Sequence, residues 1–125
     1  MPIYFLTNDL VFPSRVAGVA QLLGDQLETV LSADALIAKL ISASVPGAVV
    51  LLDLNSASVD PIAIVPRLKS LPNPPQAIIA FGPHVHEQKL AAATAAGCDM
   101  VLTRGQFDAQ MRELLARFSK SAGSD

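Results

Sequence analysis

Tryptophan is absent from this 125-residue chain, cysteine and tyrosine each occur once, and aromatic residues together make up only 5%. The single thiol, Cys98, has no partner within the chain, so no internal disulfide staples the fold. A lone thiol fits a reducing compartment, and a cytoplasmic location is expected. Charge is scarce as well: 16% of residues are charged, and 9 basic against 11 acidic residues leave a net charge of −2. Lys and Arg do not cluster, which excludes the electrostatic footprint of a nucleic-acid binder. No apolar stretch reaches the roughly 18 residues that span a bilayer, so no membrane segment is expected. The start, Met1-Pro2-Ile3-Tyr4-Phe5-Leu6, lacks the basic residues of a secretory leader. There are no internal repeats, linkers or low-complexity segments. One domain is expected over residues 1–119, with the small polar residues of 120–125 as a flexible tail.

What the chain has in quantity is apolar side chain, 51% of residues, enough to fold without metals or disulfides. Five short apolar runs, at 3–6, 27–31, 48–53, 77–81 and 100–103, alternate with five helix-like segments, the pattern of a parallel α/β sheet. The most informative run is Val49-Val50-Leu51-Leu52-Asp53-Leu54-Asn55. An uninterrupted apolar strand is buried on both faces, which happens in a parallel sheet packed between helices, and Asp53 then stands at its carboxyl end. In such sheets that edge is where ligands bind.

The helical segments carry their own signals. Val16, Val19, Ala20 and Leu23 recur at helical spacing after Pro13-Ser14 and before Gly24. Ser32 is placed to cap a second helix with the stripe Leu36, Ile37, Leu40 and Ile41, closed by Pro46-Gly47. Asp60-Pro61 opens a third. Pro66 falls in its interior, where it removes a hydrogen bond and costs about 3 kcal/mol, so a kink or a late start is expected. A fourth shows Leu90, Ala93 and Thr94 with Gly97 as its terminal cap. The last carries Phe107, Met111, Leu114, Leu115 and Phe118 on one stripe. Short loops and right-handed crossovers favour a doubly wound sheet.

A doubly wound sheet gathers four strand ends around one crevice: Thr7-Asn8-Asp9, Asp53-Leu54-Asn55, Gly82-Pro83-His84 and Thr103-Arg104-Gly105. Asp9, Asp53 and Asn55 are candidate ligands for Mg²⁺, which takes one or two carboxylates with carbonyls and waters. His84 and His86 form an H-x-H pair at the mouth of the crevice, and neighbouring imidazoles can ligate a transition metal. Each residue also has a plainer reading. Asp53 can accept from nearby backbone N–H groups, Asp9 can initiate a turn before the first helix, the histidines can be surface residues at a helix start, and Cys98 can be a small core residue.

At these residues the chain resembles a known family. Leu51-Leu52-Asp53-Leu54-Asn55-Ser56-Ala57-Ser58-Val59-Asp60 is similar to the phosphoacceptor strand and loop of response-regulator receiver domains. Ala95-Ala96-Gly97-Cys98-Asp99-Met100-Val101-Leu102-Thr103-Arg104 is similar to their junction between helix four and strand five. The resemblance runs over nearly the whole chain and implies a flavodoxin-like, five-stranded parallel sheet of order 2-1-3-4-5. It also implies that Asp53 stands where a histidine kinase phosphorylates the family, a carboxylate nucleophile assisted by a metal.

The chain departs from the family's pattern around that aspartate. Where the family has an acidic pair after strand one, only Asp9 is present. Gly82 stands at the Ser or Thr position after strand four and supplies no hydroxyl. Arg104 stands at the lysine position after strand five, and Gly105 replaces the following proline. A guanidinium is not a compact ammonium, and without proline a cis bond before Gly105 would cost about 2.5 to 4 kcal/mol. Arg104 is expected to pair with Asp53 or Asp9.

The resemblance with these departures implies a degenerate receiver, a stand-alone signalling module working through protein contacts, with no cofactor or a weakly held Mg²⁺. It is not expected to be an enzyme, beyond transfer of a phosphoryl group to Asp53 from a donor. The family's usual output surface, helix four, strand five and helix five, would include His86, Lys89, Ala92, Met100, Leu102 and Gln106. A homodimer or protein partner is expected there, with a histidine kinase as a further partner. Two alternatives stand beside this: a phospho-accepting regulator using Asp53 with Mg²⁺, and a metal-dependent module using Asp9, Asp53, His84 and His86. A flavodoxin would need a hydroxyl-rich loop after strand one, a dinucleotide fold a Gly-rich turn, and a cobalamin domain an Asp-x-His-x-x-Gly loop. None of these is present.

Overall fold

Apolar runs of four to six residues bounded by turn residues can satisfy their backbone only by pairing with one another, and here five of them do so in parallel. The computed structural model describes residues 1–43 and 47–123, with side chains to residue 118. The strands are β1 (Pro2–Leu6), β2 (Gln26–Val30), β3 (Val49–Asp53), β4 (Ala77–Gly82) and β5 (Met100–Thr103). They form one sheet of order β2-β1-β3-β4-β5. This is the doubly wound, flavodoxin-like arrangement expected from the sequence. Five helices, α1 (Phe12–Leu22), α2 (Ala33–Ala43), α3 (Pro61–Lys69), α4 (Glu87–Ala96) and α5 (Arg104–Gly123), alternate with the strands.

Side chains along each strand alternate between two cores. Leu6, Val50, Leu52 and Ile78 face a layer built with Leu36 and Leu40 of α2, Ile64, Val65 and Leu68 of α3, and Ala93 of α4. Phe5, Val49, Leu51 and Phe81 face the opposite layer, built with Val16 and Ala20 of α1 and Phe107, Met111, Leu114 and Leu115 of α5. Every residue of β3 is buried. At about 1.5–3 kcal/mol for each large apolar side chain removed from water, this central strand is firmly anchored, as is β4, which is buried at every residue too.

Several local expectations meet the structure. Ser32 Oγ accepts from Ala35 N at 3.1 Å, capping α2. Gly97 closes α4 with φ +103°, a left-handed conformation that costs glycine nothing. Others shift. β2 lies one residue earlier than its apolar run, because Leu31 is exposed beyond the sheet edge. Ile41 is likewise exposed, so the packed stripe of α2 is Leu36 and Leu40, with Ile37 partly buried. Pro46, expected in the stop after α2, lies outside the described residues. The helical backbone of α5 continues to Gly123, into the stretch expected to be a flexible tail, while Ser124 and Asp125 lie outside the described residues.

The largest local difference is α3. It starts at Pro61 and runs through Pro66 as one helix, neither late nor interrupted. Asp60 provides the reason at one end, its carboxylate accepting from Ile62 N at 3.2 Å. Ile64, Val65 and Leu68 provide it along the length by burying one face. The carbonyl deprived of a partner by the proline is that of Ile62, whose residue is exposed so that water can serve it. Pro66 is exposed too and adds little packing. Replacing Pro66 by Ala is therefore expected to raise the unfolding free energy by about 2 kcal/mol, the helix-propensity gain less the added freedom of the unfolded chain. Urea denaturation checks this, and an unchanged or lower stability would contradict it.

Candidate functional site

Parallel pairing of β1 with β3 sets Leu6 beside Leu52, so the next residues, Thr7 and Asp53, emerge together at the carboxyl edge. Both are buried, Thr7 completely and Asp53 with 2% of its surface exposed. Thr7 Oγ1 donates to Asp53 Oδ2 at 2.6 Å, and Ser56 Oγ donates to the same oxygen at 3.2 Å. Asn55 N donates to Oδ1 at 3.0 Å. A carboxylate out of water must have its lone pairs met. Here both oxygens are met by groups of the chain itself.

The two hydroxyls also accept. Asp9 N donates to Thr7 Oγ1 at 3.0 Å, and Asn8 N donates to Ser56 Oγ at 2.8 Å. Above them Ser58 Oγ donates to Asn8 Oδ1 at 2.9 Å. The β1–α1 and β3–α3 loops are thereby stitched together over Asp53.

Asp9 stands aside from this network. Its Oδ1 accepts from Val11 N at 2.8 Å and Phe12 N at 3.1 Å, so it opens α1, the turn-initiating role. Those two backbone donors, and the Arg104 guanidinium after them, hold its carboxyl below the ordinary aspartate value. Arg104 Nη1 lies 3.8 Å from Asp9 Oδ2, and its guanidinium carbon lies 3.7 Å from the centre of the Phe12 ring. Of the two carboxylates expected as partners for Arg104, Asp9 is the one it meets. A planar guanidinium stacks on an aromatic face, and Phe12 belongs to a cluster with Phe5, Phe81 and Phe107 that holds that face still. Phe81 and Phe107 stack at 4.4 Å beneath it.

Gly82 has a steric role at the other side of Asp53. A Cβ built there would lie 3.0 Å from Leu54 Cβ. Leu54 is held over it by its N–H donating to Phe81 O at 2.8 Å, and its own carbonyl accepts from Lys89 Nζ at 2.9 Å. Lys89 thus ties α4 to the loop that carries Asp53.

The remaining candidates do not converge. Asn55 is exposed and contributes its backbone N–H to Asp53. His84 is exposed, and His86 is the N-cap residue of α4 without a side-chain capping bond. Among the described residues no group of three or more His, Cys, Asp or Glu side chains could hold a metal ion. Cys98 is partly buried against the core, and burial pushes its thiol up to about 11.

A magnesium site in this fold would need carboxylate oxygens free to coordinate. Asp53 has Oδ2 engaged by two hydroxyls and Oδ1 by Asn55 N, and Asp9 has Oδ1 engaged in the turn before α1 with Arg104 beside Oδ2. The Arg104 guanidinium offsets part of the negative charge that would attract a dication. These residues fit a tightly held ion poorly. Thr7 and Ser56, which do most to fill the site, were missed by motif reasoning. The signals were there: a hydroxyl residue directly after β1, opposite the aspartate in the sheet register, and another three residues beyond it.

The sequence matches no family model and no curated protein. Its structure, however, is similar to solved receiver domains. FixJ-N superposes with a TM-score of 0.74 at 18% identity, over 95% of this chain and 93% of that one. The receiver domain of sensor histidine kinase PA1611 from Pseudomonas aeruginosa PAO1, solved with a magnesium ion in its active-site cleft, gives 0.74 at 17%, over 94% and 96%. The chemotaxis response regulator CheY4 of Vibrio cholerae gives 0.71 at 15%, over 94% and 97%. The fold is that of response-regulator receiver domains.

Two outcomes follow from the geometry. Gly82→Ser is expected to lower stability by about 1–3 kcal/mol because its Cβ meets the Leu54 Cβ. Thermal denaturation of the variant beside the parent protein checks this, and a neutral Gly82→Ser would contradict it. For Cys98, a folded value near 11 against the ordinary 9.0 leaves about a hundredfold less thiolate at pH 8. Alkylation by iodoacetamide is expected to be slower by at least that factor than in urea, and to accelerate as pH rises between about 9 and 11. Equal rates in folded and unfolded protein would contradict it.

Proposed function

We propose that this protein is a receiver-like signalling module that acts through protein contacts, with Asp53 serving as a structural carboxylate and not as a phosphoacceptor. The observation that carries this reading is the engagement of both Asp53 oxygens by Thr7, Ser56 and Asn55 in a site only 2% exposed. In-line attack on phosphorus needs a carboxylate oxygen with a free lone pair and a path for the donor. Attack from Oδ2 would require Thr7 and Ser56 to give up buried hydrogen bonds, and Oδ1, which Asn55 N meets, lies in a site too buried to give a donor a path. Among the described residues no group of three or more His, Cys, Asp or Glu side chains could hold a metal, which supports the same conclusion, since an ion to neutralise the transferred phosphoryl group would have few protein ligands.

With the chemistry closed, the surface is what remains to carry a signal. α4 is built largely of alanine and exposes Ala91 and Ala95, while β5 is an edge strand with every residue half-buried. Met100 and Leu102 on this strand, with His86, Lys89, Ala92 and Gln106 around it, form the face on which a second copy or another protein would dock. Charge there is sparse and the small side chains allow close approach. A histidine kinase then acts as a docking partner instead of a phosphodonor, in the cytoplasm. Among the described residues no helix is long and apolar enough to cross a membrane, which is compatible with that location.

The rival reading, a phospho-accepting regulator, has one observation in its favour: Asp53 ends the central strand of a receiver fold. Incubation with acetyl phosphate and MgCl2 separates the two. No phosphoryl adduct is expected in the intact mass, and Asp53→Asn is expected to lower the unfolding free energy by about 1–3 kcal/mol by turning an amide donor toward two buried hydroxyls. A saturable adduct that Asp53→Asn abolishes would contradict the proposal.

A further inference from the structure

The outward face of α1 keeps large apolar side chains in water. Leu22 is 74% exposed at the end of the helix, and Val11 is 80% exposed at its start, where a helical backbone (φ −108°, ψ −48°) makes it continuous with the first turn. Between them Arg15 is exposed, and Gly18 faces open space, with nothing within 4 Å of a Cβ built there. The residues that α1 buries in its own chain are Phe12, Val16 and Ala20, so these outward four are not spent on the core. Exposed apolar groups aligned on one face mark a surface that another molecule covers.

The order of the four selects the occupant. Val11, Arg15, Gly18 and Leu22 follow one another at steps of four, three and four, the spacing of a seam along which a second helix lies. That series of steps is the same in both directions. Set against itself antiparallel about a two-fold axis, it puts Val11 opposite Leu22 of the second copy and Arg15 opposite its Gly18. Each contact then occurs twice, as in any isologous interface. Apolar meets apolar at both ends, and the long Arg15 stem lies where the facing helix has no side chain. Charge does not oppose the pairing, because Arg15 Nε holds Asp108 Oδ1 at 2.6 Å and each copy brings a neutral pair to the seam. We propose that α1 is a self-association face on which a second copy of this chain docks antiparallel through Val11, Arg15, Gly18 and Leu22. Leu10, 89% exposed beside Val11, widens the apolar end. α1 and α4 cover opposite faces of the sheet, so this dimer leaves α4 of each copy for another protein. The pairing does not depend on whether Asp53 is structural or reactive.

The test is sedimentation velocity of the full chain from about 10 μM to about 1 mM, the range in which an interface smaller than the standard ~800 Å² a side dissociates. A monomer–dimer equilibrium is expected. Leu22→Lys, a cation at a helix end that favours one, is expected to weaken it at least tenfold without lowering the thermal midpoint. Gly18→Arg, which sets two cations face to face, is expected to do the same. For the register, Val11→Cys and Leu22→Cys are made separately in a Cys98→Ala chain, and an equimolar mixture is expected to cross-link on oxidation faster than either chain alone. A monomer throughout, a dimer indifferent to Leu22→Lys, or cross-linking as fast in one chain alone would overturn the proposal. A dimer that survives Leu22→Lys but is lost with Ala91→Glu, on the exposed side of α4, would overturn the α1 assignment while leaving the protein-contact reading intact.

Discussion

The carboxyl edge of this sheet is organised by one buried carboxylate and the three donors that reach it. Asp53 is placed by a strand whose every residue is buried, and that burial is what makes its hydrogen bonds obligatory. Thr7 and Ser56 satisfy it from two different loops, and in doing so draw the β1–α1 and β3–α3 connections together. Remove the carboxylate and both hydroxyls lose their acceptor. The interaction that stabilises the edge is the one that a reaction at Oδ2 would have to break, which is why the proposed role of Asp53 is structural.

The residues around Asp53 have contacts of their own. Arg104 finds its partners in Phe12 and Asp9 on the α1 side, and does not reach into the site as a compact cation would. Gly82 leaves just enough room for Leu54, whose carbonyl is in turn held by Lys89 from α4. At Arg104 and Gly82, two of the positions that differ from the receiver pattern, the residue present is used for packing or anchoring. Local choices that agree with one another in this way are the mark of a sequence fitted to its fold.

Much of the architecture was legible in the residues. The run ending at Asp53 announced a strand buried on both faces, and the spacing of Leu36 and Leu40, or of Phe107, Met111 and Leu114, announced the helix faces that cover it. Pro66 misled because propensity is local, while the burial of Ile64, Val65 and Leu68 that overrides it is tertiary. The candidate site was legible only in part. Asp53 and Asp9 were found because acids draw attention, but the pairing of Thr7 with Asp53 depends on strand register, which no single segment displays. The choice of Asp9 over Asp53 by Arg104 depends on the position of the Phe12 ring, set by the packing of four phenylalanines from two strands and two helices.

The most direct measurement of whether Asp53 is structural or reactive is a crystal structure grown in MgCl2 with beryllofluoride, the mimic of a phosphoryl group on a carboxylate. The account predicts an unmodified Asp53, with the Thr7 hydroxyl still at hydrogen-bond distance from Oδ2 and no ion between Asp9 and Asp53. A beryllofluoride group bonded to Asp53, with Mg²⁺ beside it and Thr7 and Ser56 turned away, would contradict it.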